Sequence, residues 1–205
     1  MTLKYEEYQG FDSLYYAEVT KDDATGYTAG TPKILAPAGE IGVSTERASA
    51  PRHYDNQVYM VINNEGADEV TLTVPVLPIA QFGELLGKVV DAATGALFDS
   101  GDVVTKYFAI GYRLRFTDGT YRYVWRLKGT FRQDEESAKS RDNSTDTNNA
   151  QLIFTGIQTK FKFDMPDESK APGKQIVVDE RDGLANVTSW FVNVVTPENI
   201  TPVTP

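Results

Sequence analysis

The sequence predicts a mainly β protein, two packed antiparallel sheets forming a sandwich or barrel with one flanking α-helix. Three observations lead there. Eleven Tyr and ten Phe among 205 residues suit pleated, half-buried surfaces better than helical bundles. Apolar and polar residues alternate over several short segments, and Gly, Asp and Pro clusters separate those segments. With 40% hydrophobic and 24% charged residues, the composition is that of an ordinary globular domain able to bury a sizeable core.

Taken in chain order, short strands are expected at 13–19, 33–36, 41–46 and 57–62. They are followed by a run in which Val70, Leu72, Val74 and Val76 alternate with Glu69, Thr71 and Thr73. A helix is expected over about 78–88. There Ile79, Phe82, Leu85, Leu86 and Val89 recur at spacings of three and four, Pro78 suits the first turn and Gly87 is a natural stop. Glu84 and Lys88 are spaced to pair across one turn of it. The strongest local feature is a hairpin centred on Asp118-Gly119, read as a two-residue turn that pairs Thr117 with Thr120. That register places Phe108, Ile110, Tyr112, Leu114 and Phe116 on one face with Tyr121, Tyr123, Trp125 and Leu127. Arg113, Arg115, Arg122, Arg126 and Lys128 then share the other face. Along 151–163, Ile153, Ile157, Phe161 and Phe163 are expected on one side.

Two long polar connections stand out, Glu46 to Asn56 and Gln133 to Asn149, both read as loops. Residues 1–164 read as the β-sandwich domain and 165–205 as a C-terminal extension. In that extension Leu184, Val187, Trp190, Phe191 and Val194 suggest a short helix over 183–194, before an extended, proline-rich tail.

Enzymatic chemistry has little to work with. Without cysteine there is no thiol nucleophile, disulfide or thiolate metal site, and a single histidine, His53, has no nucleophile motif beside it. The acidic clusters Asp22-Asp23 and Asp179 to Gly183 lack the alternating oxygens of a calcium loop and read as solvated turns. No cofactor or metal is expected. The triplets beginning at Asn143, Asn186 and Asn199 match a glycosylation pattern but read as polar loop sequence. The N-terminus does not resemble a secretory leader and no stretch reaches membrane-spanning length, so a soluble protein made in the cytoplasm, with no membrane partner, is expected.

Charge is unevenly distributed. The net charge is −9, yet residues 106–132 hold seven Lys and Arg against Asp118 as the one acid. Three readings of this cationic hairpin are open: a solvated face, a face that meets acids of a sister chain, or a phosphate contact.

The order of these features resembles the major tail, or tail tube, proteins of long-tailed phages (siphophages) of Gram-positive bacteria. The residues that carry the resemblance are the stretch ending His53-Tyr54-Asp55-Asn56-Gln57, then "PIAQFGELLG", then "YFAIGYRLRFTDGTYRYVWRLKGTF" and the polar "RQDEESAKSRDNSTDTNNAQLIFTG". Together they cover about residues 11–163. The resemblance implies a structural virion protein whose subunits close into hexameric rings, stack into a tube and let DNA pass without specific binding. It also implies contacts with the tape measure, distal tail and terminator proteins. Candidate subunit-interface residues are Arg47, Arg52, His53, Tyr54, Asp55 and Asn56 in the first loop, and Glu135, Glu136 and Asn143 in the second. Arg113, Arg115, Arg122 and Arg126 complete the set, expected to face another subunit or outward so that the lumen stays acidic. Both loops are expected to become ordered on assembly. The alternative is a β-sandwich virion module that binds a receptor or carbohydrate.

Overall fold

The computed structural model describes residues 5–101, 104–133 and 150–203, leaving the side chains of His53 and Ile62 aside. The fold is mainly β, 55% strand and 6% helix, with one large antiparallel sheet and a sandwich-like arrangement. The large sheet has nine strands. Its path runs through β2 (Gly26–Ala29), β1 (Tyr8–Asp23), β8 (Phe108–Phe116), β9 (Tyr121–Arg132), β10 (Ala150–Gly156), β5 (Gln57–Val74) and β4 (Glu40–Tyr54). A short β3 (Lys33–Ile34) joins β1, and β13 (Gln175–Asp179) joins β9. Two further pairs stand apart: β6 (Val89–Val90) with β7 (Leu97–Phe98), and β11 (Lys162–Asp164) with β12 (Lys170–Pro172).

The sheet curls because residues 33–40 tie its two ends together. Ile34 pairs with Tyr15 of β1, and the Leu35 N–H donates to Leu14 O at 2.9 Å. A few residues on, the Gly39 N–H donates to Thr73 O of β5 at 3.1 Å. Inside the curl Leu14, Tyr16, Val70, Leu72, Val74, Phe108, Ile110, Leu152 and Phe154 meet in one buried cluster, capped by Leu85 of the helix. Burying these chains is the main favourable term in folding.

That helix, α1 (Ile79–Leu86), follows Pro78 and ends at Gly87, whose φ of 67° is the left-handed conformation a helix stop favours. Glu84 and Lys88 do not pair. Glu84 instead accepts from the Tyr16 hydroxyl at 3.0 Å and Lys33 Nζ at 2.7 Å, while Lys88 reaches Asp99 at 2.6 Å. Tertiary neighbours outcompete an exposed one-turn pair, which is worth only a few tenths of a kcal/mol, ~0.3–0.5.

The β8–β9 hairpin differs from its expected register by one residue. Its loop has three residues, Thr117-Asp118-Gly119, closed by the Phe116 N–H to Thr120 O at 2.8 Å, with Gly119 at φ 87°. Arg115 therefore opposes Tyr121, and Gly111 opposes Trp125. The slip sends the two aromatic rows to opposite faces. Ile110, Tyr112 and Phe116 face with Arg122, Val124 and Arg126, while Tyr121, Tyr123, Trp125 and Leu127 face with Ala109, Gly111, Arg113 and Arg115. Gly111 makes the second face possible: a Cβ there would sit 2.7 Å from the Trp125 ring.

A sheet apolar on both faces needs a second cover, which the C-terminal residues supply. Phe163, Trp190 and Val194 bury against Ala17, Ala109, Trp125 and Leu127, and the Trp125 indole N–H donates to Trp190 O at 2.9 Å. Residues 165–203 thus pack on the same body, with β13 a strand of the large sheet. The helix expected over 183–194 is absent. A 3-10 turn at Glu180–Asp182 leads into successive turns. There Asn186 accepts from the Thr188 N–H at 3.0 Å and Asn199 accepts from the Thr196 N–H at 2.7 Å, local bonds that compete with helix. On β10 the buried residues are Leu152, Phe154 and Gly156, while Ile153, from the row expected to share one side with Ile157, Phe161 and Phe163, is only half-buried. The strand ends at Gly156, before Ile157 and Phe161.

Candidate assembly surface

Of the stretch 46–56, expected as a loop, all but the last two residues are strand. β4 and β5 form one continuous hairpin, and its turn is Asp55-Asn56 with φ of 50° and 60°. Both values are positive, as a two-residue type I′ turn requires, and Asp and Asn are among the few side chains that tolerate them. The turn chemistry expected at Asp118-Gly119 is therefore found here.

Only the base of this hairpin belongs to the body. From Asp68 to Val74, β5 pairs with β10 on one edge and β4 on the other; from Gln57 to Glu65 it pairs with β4 alone. Arg47 to Tyr54 is thus one strand of a free ribbon that reaches roughly 25 Å at about 3.3 Å per residue. Its described side chains are exposed on both faces, including Tyr54 at 62%, Tyr59 at 72%, Val58, Met60 and Val61. The two tyrosine rings meet edge to face, centroids 5.4 Å apart. Two-stranded ribbons are marginal in water by themselves, and apolar side chains grouped on one projection mark an interaction surface. The outer edge of β4 adds unpaired backbone groups along Glu40–Tyr54, since β5 is its one neighbour among the described strands.

The arm is anchored at its root. Between Thr45↔Asp68 and Arg47↔Glu65, Gly66 and Ala67 oppose Glu46, a bulge that turns the ribbon away from the sheet. Asp68, 2% exposed, accepts from Arg126, from Thr45 Oγ1 at 2.8 Å, and pairs with Lys174 at 2.7 Å. Burial disfavours its charge, but Lys174, Thr45 and Arg126 outweigh that, and the carboxyl lies below its ordinary value. Lys174 also donates to Gly66 O at 2.9 Å and to Glu65 at 3.2 Å.

The cationic hairpin meets acids of its own chain, a reading not among the three considered from sequence. Arg113 pairs with Asp12 and lies 4.1 Å from the Tyr121 ring centre. Arg122 binds both oxygens of Asp179, at 2.5 and 2.8 Å, and this contact lowers the Asp179 carboxyl below its ordinary value. Lys128 reaches Asp22 at 2.5 Å, and Arg132 reaches Glu69 at 2.9 Å. The shared cationic face is therefore corrected: the register slip divides the arginines between two faces. Arg126 is corrected as an interface residue as well, because it is 5% exposed and held inside the protein by Asp68. Arg115 remains exposed at the hairpin.

Asp22, expected in a solvated turn, is also corrected. It accepts from Lys128 and from the backbone N–H groups of Lys160 and Phe161 at 2.9 Å. Burial opposes its charge, yet these bonds hold it below the ordinary carboxylate value. Among the described residues no group of three His, Asp or Glu side chains is placed to hold a metal ion.

Of the candidate interface residues, Arg47, Arg52, Tyr54, Asp55 and Asn56 come together on the arm, all exposed. The His53 backbone pairs with Val58 in the same ribbon. Glu135, Glu136 and Asn143, with the expected loop at 133–149 beyond Gln133, lie outside the described residues. Sequence reasoning missed Val58, Tyr59, Met60 and Val61, taken as an ordinary strand. The signal was the Asp55-Asn56 pair directly before an unbroken apolar run, which reads equally as a buried strand. No protein-family model matches the chain, and a search of curated proteins finds no match.

Proposed function

We propose that this chain is a structural tube subunit, the major tail protein of a long-tailed phage, which self-assembles into stacked, hexameric rings that enclose a passage for DNA. It acts as a passive conduit in the virion and not as a catalyst. The observation that supports the reading is the arm: a ribbon with exposed apolar side chains near its tip and no neighbouring strand but its own partner among the described residues, its outer strand an open edge of 15 residues. A subunit that completes itself by joining copies needs such features. The motif order from His53 through the hairpin to the polar segment gives the reading its family.

The ion pairs bear on the conduit. Arg113, Arg122 and Arg126 are each matched by an acid of the same chain. They therefore contribute little net positive potential to a channel, and a subunit of net charge −9 does not retain DNA through released counterions. Contacts with tape measure, distal tail and terminator proteins belong to the same proposal.

Negative-stain microscopy of the purified protein at rising concentration tests it. Rings or tubes of uniform width are expected. A protein that stays monomeric or trimeric at every concentration and binds glycan would instead be the receptor- or carbohydrate-binding module.

A further inference from the structure

The arm leaves the sheet through the bulge at Glu46, which stands opposite Gly66 and Ala67, and a bulge bends the strand that carries it. Above that point β5 has β4 as its one neighbour among the described strands, so no third strand fixes the angle between arm and body. Polar contacts take over that task. Among the described residues, the hydrogen bonds and ion pairs that tie positions 46–66 to anything outside the β4–β5 hairpin all end on one atom, Lys174 Nζ.

We propose that Lys174 is a latch: carried by the C-terminal segment, it holds the arm at a single angle to the body, and without it the ribbon swings about the bulge. The inference concerns one chain by itself and stands apart from the tube-subunit reading.

The chemistry of the lysine suits this role. An ammonium has three N–H donors, and three acceptors meet it here. Two belong to the arm, Gly66 O at 2.9 Å and Glu65 Oε1 at 3.2 Å, and the third is Asp68 Oδ1 at the base, at 2.7 Å. The Lys174 side chain is 15% exposed. An arm that swung away would strip two partners from an ammonium that water reaches poorly, so departure from the latched angle is costly.

A latch also needs a fixed mount. The Gly173 N–H donates to Thr159 Oγ1 and the Gly173 carbonyl accepts from the Thr159 N–H, both at 2.9 Å. Gly173 is packed so closely that a Cβ there would sit 2.6 Å from Leu127 and 2.8 Å from the Phe163 ring. On the other side the Lys174 carbonyl accepts from the Leu127 N–H at 3.0 Å, and Gln175 pairs with Arg126 as β13 begins. The lysine therefore springs from backbone pinned to β9. Its removal does not orphan the buried carboxylate, since Asp68 keeps Arg126 and Thr45 as partners.

The absence of cysteine allows a direct test. Spin labels are placed on Val58→Cys near the arm tip and, in separate chains, on Ala92→Cys or Glu198→Cys, all exposed positions. Each labelled chain is diluted among unlabelled copies, so that pulsed electron–electron resonance reads distances within one chain. The parent is expected to give one narrow distance for each pair. Lys174→Met is expected to lose that single distance and show a broad spread, while Lys170→Met, which removes an exposed lysine on β12, keeps the parent's width. Glu65→Ala, which removes one arm contact and leaves the buried charges in place, is expected to broaden the distances in part. A parent that is already broad overturns the latch, as does a Lys174→Met chain that stays narrow or a Lys170→Met chain that broadens equally. Should Lys174→Met fail to fold, Glu65→Ala decides: a width equal to the parent's overturns the proposal, and a broader one supports it.

Discussion

At the scale of single residues, the chain stabilises itself by pairing most of its hairpin cations with acids far away in sequence. Lys128 and Asp22 show what such a pair costs to break. Their side chains are each 5% exposed, and Lys128 lies 4.5 Å from the Tyr107 ring centre. Replacing Lys128 by Met leaves a buried carboxylate without its cation, and a loss of about 3–5 kcal/mol is expected in urea unfolding at neutral pH. The sign of the pH dependence follows from Asp22, whose folded value lies below its unfolded one. Its stabilising contribution is present above the unfolded value of about 3.9 and is lost as pH falls through the lower, folded one. The deficit of Lys128→Met should therefore shrink when the same unfolding is measured below about pH 4. A deficit constant with pH would mean that packing, not charge, carries the pair.

At the scale of elements, register and arm are separable. Gly111 opposite Trp125 is the point at which the hairpin accommodates its second apolar face. A Cβ there meets three ring atoms of Trp125 at 2.7 to 2.8 Å. Gly111→Ala is expected to cost about 1–3 kcal/mol, as overpacking does, with a changed near-ultraviolet signal from Trp125 as its structural readout. The arm behaves oppositely. Among the described side chains from Glu46 to Gly66, none belongs to either buried cluster. Replacing residues 48–62 by an Asn-Gly turn should leave the unfolding free energy within about 0.5 kcal/mol of the parent. Tube formation, followed by microscopy, should be lost. A body that unfolds when the arm is removed would assign the ribbon to the fold and not to assembly.

At the scale of the whole molecule, copies with a net charge of −9 repel one another before any local contact forms. Raising salt from about 0.01 M to about 0.15 M shortens the screening length from about 30 Å to about 8 Å. Assembly followed by light scattering should accordingly become faster. Slower assembly in salt would show that attraction between oppositely charged faces, not overall repulsion, governs encounter.

Much of the architecture was legible from neighbours in the chain. The β class followed from alternation, α1 from its apolar spacing between Pro78 and Gly87, and the inward row Val70, Leu72 and Val74 from period two. Such features depend on residues within a turn or a strand of each other, where backbone geometry dictates which side chains share a face. Opaque features depended on distant partners. The Asp118-Gly119 register turned on whether the Trp125 ring had room over Gly111, and the apolar C-terminal stripe became turns because it covers a sheet face that the sequence had assigned to solvent. The destinations of Arg113, Arg122 and Arg126 were set by Asp12, Asp179 and Asp68 brought in from elsewhere. At the candidate surface, Arg52 and Tyr54 to Asn56 were singled out from sequence, but as a loop. The run Val58 to Val61 has the same composition as a core strand, and only the three-dimensional fold, by giving β5 no second neighbour there among the described strands, left it on an exposed arm. Local chemistry decides which strands and turns form, whereas burial belongs to pairs of segments and is decided only when they meet.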